Sequence, residues 1–234
     1  MDTTHPVRIR PLLAPPTRPW AGALLAVCVG LVAVLGVIFA HQTAADRFDR
    51  AVDAPVITWF GHHPGLAGWL ALPGSLVPMA VLSVAIAAAC LLAGRLNGAV
   101  LAVAAVPVAA GLNDGLLKHL FDRTYLGVLS YPSGHTATVF ALAAAVAVLL
   151  LASPPTRLGP LRVLLAAAAC ALGVVVAVGV MGLEWHYFTD TVGGAALGVG
   201  TVCGLAFILD LPVVARALAR PGRQRPTAQA KARV

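Results

Sequence analysis

Two segments of this chain carry residue types at spacings that suit phosphate chemistry. Pro132-Ser133-Gly134-His135 opens one apolar run, and His186, three residues and Asp190 open another about fifty residues later. A helix begun by Pro, Ser and Gly presents unpaired backbone N–H groups and the positive end of its dipole, which favours an anion such as phosphate. The His186-x3-Asp190 spacing puts a carboxylate one helical turn from an imidazole. Lys118, His119, Asp122 and Arg123 occupy a short connection ahead of His135, and Asp114 precedes Lys118 by four residues, where it can steady the ammonium.

The elements that must position these groups are membrane helices. Hydrophobic residues make up 59% of 234 and charged residues only 11%, and mean hydropathy is +0.89, outside the range of a soluble domain. Six apolar runs, Ala21–Ala40, Leu66–Ala93, Ala99–Leu117, Thr136–Ala152, Val163–Leu183 and Thr191–Val214, are each long enough to cross a hydrocarbon layer of about 30 Å. The expectation is an all-α, polytopic membrane protein: a six-transmembrane-helix bundle over residues 21–214, a cytoplasmic N-terminal tail over 1–20 and a basic cytoplasmic C-terminal tail over 215–234. The first run exceeds a usual signal-peptide core and reads as an anchor. Cys28, Cys90, Cys170 and Cys203 each fall in a different run, so buried packing is expected of them, with no disulfide.

Orientation follows from charge. With the N-terminus in the cytoplasm, 12 of the 16 basic residues lie on that side and only Arg47, Arg50, Lys118 and Arg123 lie outside. The net charge of +7 then reflects topology. The tail from Arg220 has no aromatic residue, which favours a solvated anchor near anionic lipid and no nucleic-acid partner. Between His135 and His186 the chain crosses twice, so both histidines return to the extracytoplasmic face, where Lys118 and Arg123 join them. Ionisable groups gathered at one membrane edge are functional candidates by default.

Lys118 and Arg123, then Pro132-Ser133-Gly134-His135, then His186-x3-Asp190, together resemble the three-part signature of the membrane-bound type 2 phosphatidic acid phosphatases, the lipid phosphate phosphatases related to vanadium haloperoxidases. The order, spacing and shared membrane face of the three parts carry the resemblance, since Pro-Ser-Gly-His alone is a short match. The resemblance implies six helices and a metal-independent phosphatase without cofactor, acting at the plasma membrane on a lipid phosphate or diphosphate. It implies His186 as the nucleophile that becomes a phosphohistidine, Asp190 as the holder of its ring and His135 as the acid. It further implies Lys118, Arg123, Ser133 and the Gly134 amide as phosphate ligands. The substrate expected first is a polyprenyl, undecaprenyl-type diphosphate. Phosphatidic acid or phosphatidylglycerophosphate comes next, and a non-catalytic scaffold or transporter with a decayed site is the rival of another class.

Two departures from the pattern stand out. The family has Lys, six residues, then Arg-Pro, whereas the seventh position after Lys118 is Tyr125 and the nearby arginine, Arg123, comes two residues early. The third part carries an arginine six residues before its histidine, but Val180 stands there, with Glu184 nearer the histidine. One phosphate-binding arginine is therefore missing. Elsewhere, residues 41–65 read as an amphipathic connector lying on the surface, and His62-His63 shows no metal-ligand spacing, adjacent side chains pointing apart. Trp69, Tyr125, Tyr131, Trp185 and Tyr187 suggest an outer aromatic belt, with Trp185 and Tyr187 also in reach of substrate. Gly194-x3-Gly198 and Gly200-x3-Gly204 suggest close packing of the sixth helix within the bundle, and Asp210 is expected to meet water or Arg216.

Overall fold

The computed structural model describes residues 11–152 and 157–219. Arg8, Arg10 and the basic tail from Arg220 onward, which carry part of the orientation argument, lie outside the described residues. The elements are α1 (Arg18–Phe39), α2 (Arg47–Gly61), α3 (Pro64–Ala71), α4 (Leu76–Leu92), α5 (Leu96–Leu112), α6 (Lys118–Phe121), the two-residue strands β1 (Thr124–Tyr125) and β2 (Val128–Leu129), α7 (Gly134–Leu151), α8 (Gly159–Gly182), α9 (Phe188–Leu209) and α10 (Pro212–Ala219). Among the described residues, six helical spans are long and apolar enough to cross a membrane: Pro15–Phe39, Gly65–Leu92, Leu96–Phe121, Gly134–Leu151, Gly159–Gly182 and Phe188–Leu209. The protein is an all-α, six-span membrane bundle. Its outward faces suit lipid, with Leu92 91% and Leu76 79% exposed, and Cys170, expected to be buried, faces outward with them.

Local chemistry explains the breaks. The second span is interrupted at Leu72–Gly74, where Pro73 and Gly74 turn α3 into α4 through a single 3-10 turn. Gly74 sits so close to Val176 and the His135 backbone that a Cβ there would collide, so this break brings the second span against the start of α7. α5 runs through a wider π turn at Asn113–Leu117 into α6, which Asp122 ends in the left-handed region at φ 49°. An antiparallel β1–β2 hairpin then carries the chain to α7.

The bundle closes around α7 and α9. Gly194 and Gly198 lie directly on the α7 backbone at Ser133, Ala137 and Ala141, so the first Gly-x3-Gly pair packs inside the bundle. Gly200 of the second pair meets Cys28 of α1, while Gly204 has open space. Ala99, Ala102, Ala105 and Ala109 of α5 continue this small-residue core against Ala141, Ala145, Val202 and Ala206. Hydrogen bonds between helix ends define two faces. On one, His41 N–H donates to Phe121 O and Ser133 N–H to Asp190 O, at 2.8 and 3.0 Å. On the other, Asp210 accepts from the Leu12 and Leu13 N–H groups at 2.8 and 2.9 Å, with Arg18 at 3.8 Å. Asp210 thus ties down the N-terminal segment and is not given over to water or Arg216.

The largest difference from expectation is the connector after α1. It forms helix α2, capped by the Asp46 carboxylate, which accepts from Asp49 N–H at 2.7 Å. Its inward face buries Asp49, Asp53 and Phe60, with Phe60 lying tight on Gly182 at the end of α8. Two carboxylates driven inside must be met by partners, because burying an unpaired charge is costly.

Candidate active site

Those partners lie at the first turn of α9. The Tyr187, Phe188 and Thr189 N–H groups, which a helix start leaves unpaired, each donate to a different carboxylate: Asp190 Oδ2 at 3.0 Å, Asp53 Oδ1 at 3.1 Å and Asp49 Oδ1 at 3.0 Å. The Thr189 hydroxyl donates to Asp49 Oδ2 at 2.8 Å. The mouth of α9 is thus occupied by the protein's own anions.

Arg123 lies at the centre of the same cluster with no exposed surface. Its Nη1 donates to Asp190 Oδ1 at 2.6 Å and to the Thr189 hydroxyl at 2.7 Å, and its Nη2 donates to Asp49 Oδ2. The guanidinium is sandwiched between the Phe39 and Tyr187 rings, 4.3 and 4.4 Å from their centroids. Expected to hold phosphate, Arg123 is instead committed to two buried carboxylates. The physical reason is charge: Asp49, Asp53 and Asp190 converge there, and a planar fork can bridge two of them at once.

A cavity of about 970 Å³ opens beside this cluster. At one end it is lined by Lys118, His135, His186, Gly134, Asp114 and Glu184, and it runs on between α4 and α5 past Met79, Ser83, Val84, Val103 and Val106. Of the expected site residues, the fold therefore gathers Lys118, Gly134, His135 and His186 on one wall. Asp190, Ser133 and Arg123 lie behind that wall, fully buried. The Ser133 hydroxyl is 3.1 Å from that of Thr136. Lys118 Nζ lies 2.9 Å from Asp114 Oδ1, the pairing that their four-residue spacing suggests.

His186 Nδ1 stands 3.8 Å from Asp190 Oδ2, beyond hydrogen-bond reach. Both Asp190 oxygens are already engaged, Oδ1 by Arg123 and Oδ2 by the Tyr187 amide. Asp190 therefore acts first as the acceptor that starts α9 and anchors Arg123. Its influence on the imidazole is that of a nearby charge.

Val180, where the signature has its arginine, is fully buried in α8. Glu184, in the left-handed region at φ 56°, points to the cavity and bonds the Tyr125 hydroxyl, whose pKa is pushed up to about 12 by burial and by the Glu184 charge. Glu184 takes that conformation as the residue that ends α8, Trp185 N–H turning back to Val180 O at 3.1 Å. Among the described residues Lys118 is the one lysine or arginine on the cavity wall, and it is paired with Asp114. Among those residues no group of three or more His, Cys, Asp or Glu is arranged to hold a metal ion.

Tyr131 and Tyr187 do not belong to an outer belt. Tyr131 is fully buried with its hydroxyl donating to Val32 O at 2.8 Å, and Tyr187 stacks on Arg123 and on Tyr125, ring centroids 4.4 Å apart. Trp69 and Trp185 are exposed, the latter 5.4 Å from the His135 ring. What the linear reading missed was the inward face of α2. Asp49 and Asp53 are one helical turn apart in a stretch with apolar Val52, Val56 and Phe60, a spacing that places them on one face.

Residues 113–210 match the PAP2 superfamily model, a segment that begins at the π turn before Lys118 and ends at Asp210. The chain matches no curated protein. In three dimensions it is similar to the crystal structure of the first transmembrane PAP2 type phosphatidylglycerolphosphate phosphatase from Bacillus subtilis. The TM-score is 0.62 over 81% of this chain and 95% of that one, at 20% sequence identity. Lys118, the Pro-Ser-Gly-His segment and His186-x3-Asp190 all lie inside the residues that match the PAP2 superfamily.

Proposed function

We propose that this protein is a lipid phosphate phosphatase that works through a phosphohistidine at the extracytoplasmic face of the plasma membrane, with both termini in the cytoplasm. One observation carries the reading: a single cavity joins Lys118, His135 and His186 to an apolar groove between α4 and α5. That shape fits an amphiphile with a phosphate head and a hydrocarbon tail, and not a soluble phosphoester.

In the proposed reaction the substrate phosphate lies between Lys118 and the first turn of α7 at Gly134, where the ammonium and the helix dipole offset its charge. The Nε2 lone pair of His186 attacks phosphorus. The bond from phosphorus to the lipid oxygen breaks, and that oxygen takes a proton from His135. Water then attacks the phosphohistidine while His135, now neutral, accepts its proton. The P–N bond breaks and inorganic phosphate leaves. Ser133 and Arg123, expected as ligands, serve this scheme from behind the wall, Arg123 by fixing Asp190 and Thr189.

Within this class, a polyprenyl diphosphate of the undecaprenyl type is the first substrate proposed, its leaving group being the lipid monophosphate. Phosphatidylglycerophosphate is the second, favoured by the activity after which the similar Bacillus subtilis protein is named. The test is phosphate release by purified protein in detergent from a panel of lipid phosphates and diphosphates, with excess EDTA present. Wild type should turn over at least one of them, and His186→Ala and His135→Ala should each lose several orders of magnitude while remaining folded. Near-normal turnover in both histidine variants, or abolition by EDTA that Mg2+ restores, would overturn the proposal.

A further inference from the structure

We infer that Asp49 and Asp53 are positioning residues for His186, acting from helix α2 through Arg123 and the first turn of α9. The inference rests on the reading of His186 as the attacking group. Both residues lie outside the segment 113–210 that carries the family match.

The argument is one of occupancy. His186 directly precedes the three amides that start α9, and two of those three are held by α2: Phe188 N–H by Asp53 and Thr189 N–H by Asp49. The third is held by Asp190, which is itself held by Arg123, which is held in turn by Asp49. All three amides that follow His186 therefore lead to α2, while Trp185 N–H on its other side is held by Val180 O of α8 at 3.1 Å. The ring itself has no hydrogen bond at Nδ1, 3.8 Å from Asp190, so its placement depends on where the backbone is pinned. Reacting atoms must meet within a few tenths of an ångström, and misplacement by about 1 Å can cost about 10²-fold in rate.

Charge makes the clamp sensitive to protons. Asp53 faces Asp49 on its own helix, Arg123 and Tyr125 from the connection between α6 and α7, and Tyr187 and Asp190 at the mouth of α9; Glu184, which follows α8, reaches the same Tyr125. One guanidinium cannot neutralise three carboxylates. Asp53 Oδ2 is buried without a partner, and burial, then the Asp49 charge, raise the Asp53 pKa to about 7. Below that pH a proton from solvent removes the excess charge. Above it the clamp carries one more buried anion against Asp49 and Asp190, and their repulsion works against the contacts that pin the first turn of α9.

The experiment uses the full-length protein in detergent, with 15N-labelled histidine and the His186 resonance assigned by its loss in His186→Gln. Asp49→Asn should lower kcat by about 10²-fold with KM changed less than about twofold, because the ring is misplaced and not the lipid. Asp49→Glu, which keeps the charge but displaces it by one methylene, should show the same split and covers the case in which Asp49→Asn fails to fold. Asp53→Asn should raise the ratio of turnover at pH 8 to that at pH 6 and remove an inflection near pH 7 from the His186 shift. Variants with lowered thermal stability but wild-type kcat and a wild-type His186 titration would reduce both aspartates to structural supports and overturn the inference. A wild type that releases no phosphate from any lipid would refute the proposed function separately. The His186 titrations would then decide the clamp alone, and unchanged curves in Asp49→Asn and Asp53→Asn would overturn it.

Discussion

Replacing Arg123 by Met separates two jobs that the linear pattern cannot tell apart, phosphate binding and internal support. The side chain has no exposed surface and sits between Phe39 and Tyr187, so Met conserves much of its packing volume while deleting the charge. Three donated bonds vanish, to Asp49, Asp190 and Thr189, and two fully buried carboxylates lose their counter-charge. Breaking one partner out of a buried ion pair costs about 3–5 kcal/mol, because the remaining charge stays uncompensated. Two carboxylates share this guanidinium, but one can take a proton, so the same range is expected and not its double. At about 1.4 kcal/mol per factor of ten, the folding equilibrium should fall by roughly 10²–10⁴. The assay is denaturant unfolding of wild type and Arg123→Met in one detergent at fixed pH, alongside phosphate release corrected for the folded fraction. Arg123→Lys should recover only part of the loss, since an ammonium cannot bridge both carboxylates in the fork geometry. Wild-type stability of Arg123→Met with a raised KM alone would refute the reasoning and return Arg123 to the phosphate.

Gly198→Ala should destabilise the bundle by about 1–3 kcal/mol, measured by the same unfolding, because its Cβ would press on the α7 backbone at Ala137 and Ala141; an unchanged unfolding curve would mean that α7 and α9 are less tightly packed than described. In a cysteine-free background, an impermeant thiol reagent on intact cells should label Gly61→Cys and spare Ala93→Cys, both exposed, and the reverse pattern would invert the proposed orientation. Stability should also depend on pH through Asp53, whose pKa in the folded protein is raised to about 7 from its ordinary 3.8. The folded state binds that proton more tightly than the unfolded chain, so this contribution is fully present below pH 3.8 and is lost as pH rises through about 7. The unfolding midpoint should therefore fall between pH 5 and pH 8, and Asp53→Asn should shrink that fall; an equal fall in the variant would remove Asp53 as its cause.

The sequence by itself determined the six spans, because twenty or so consecutive apolar residues have no other stable disposition than a membrane helix. The boundaries expected from the apolar runs differ from those observed by a few residues at most helix ends, with the sixth run ending sooner, at Leu209. Lys118, Gly134, His135 and His186 were legible as one group, since the two crossings Gly134–Leu151 and Gly159–Gly182 return both histidines to one face, and the Asp114–Lys118 pair followed from helical spacing alone. Only the tertiary structure decided what Arg123 does. Linear spacing places it near the phosphate group of residues, but its direction depends on where negative charge is buried, and that charge comes from Asp49 and Asp53, more than sixty residues away in the chain. The same non-local pairing explains why α2 looked like a surface connector. Local pattern marks a carboxylate as solvent-facing unless a partner is known, and here the partners are the orphan amides of a helix that begins at Phe188. Likewise the His186–Asp190 spacing correctly predicts proximity, yet not a bond, because two other donors reach Asp190 first. Helix periodicity is a local property and can be read residue by residue; the partner of a buried charge is fixed only when distant segments meet.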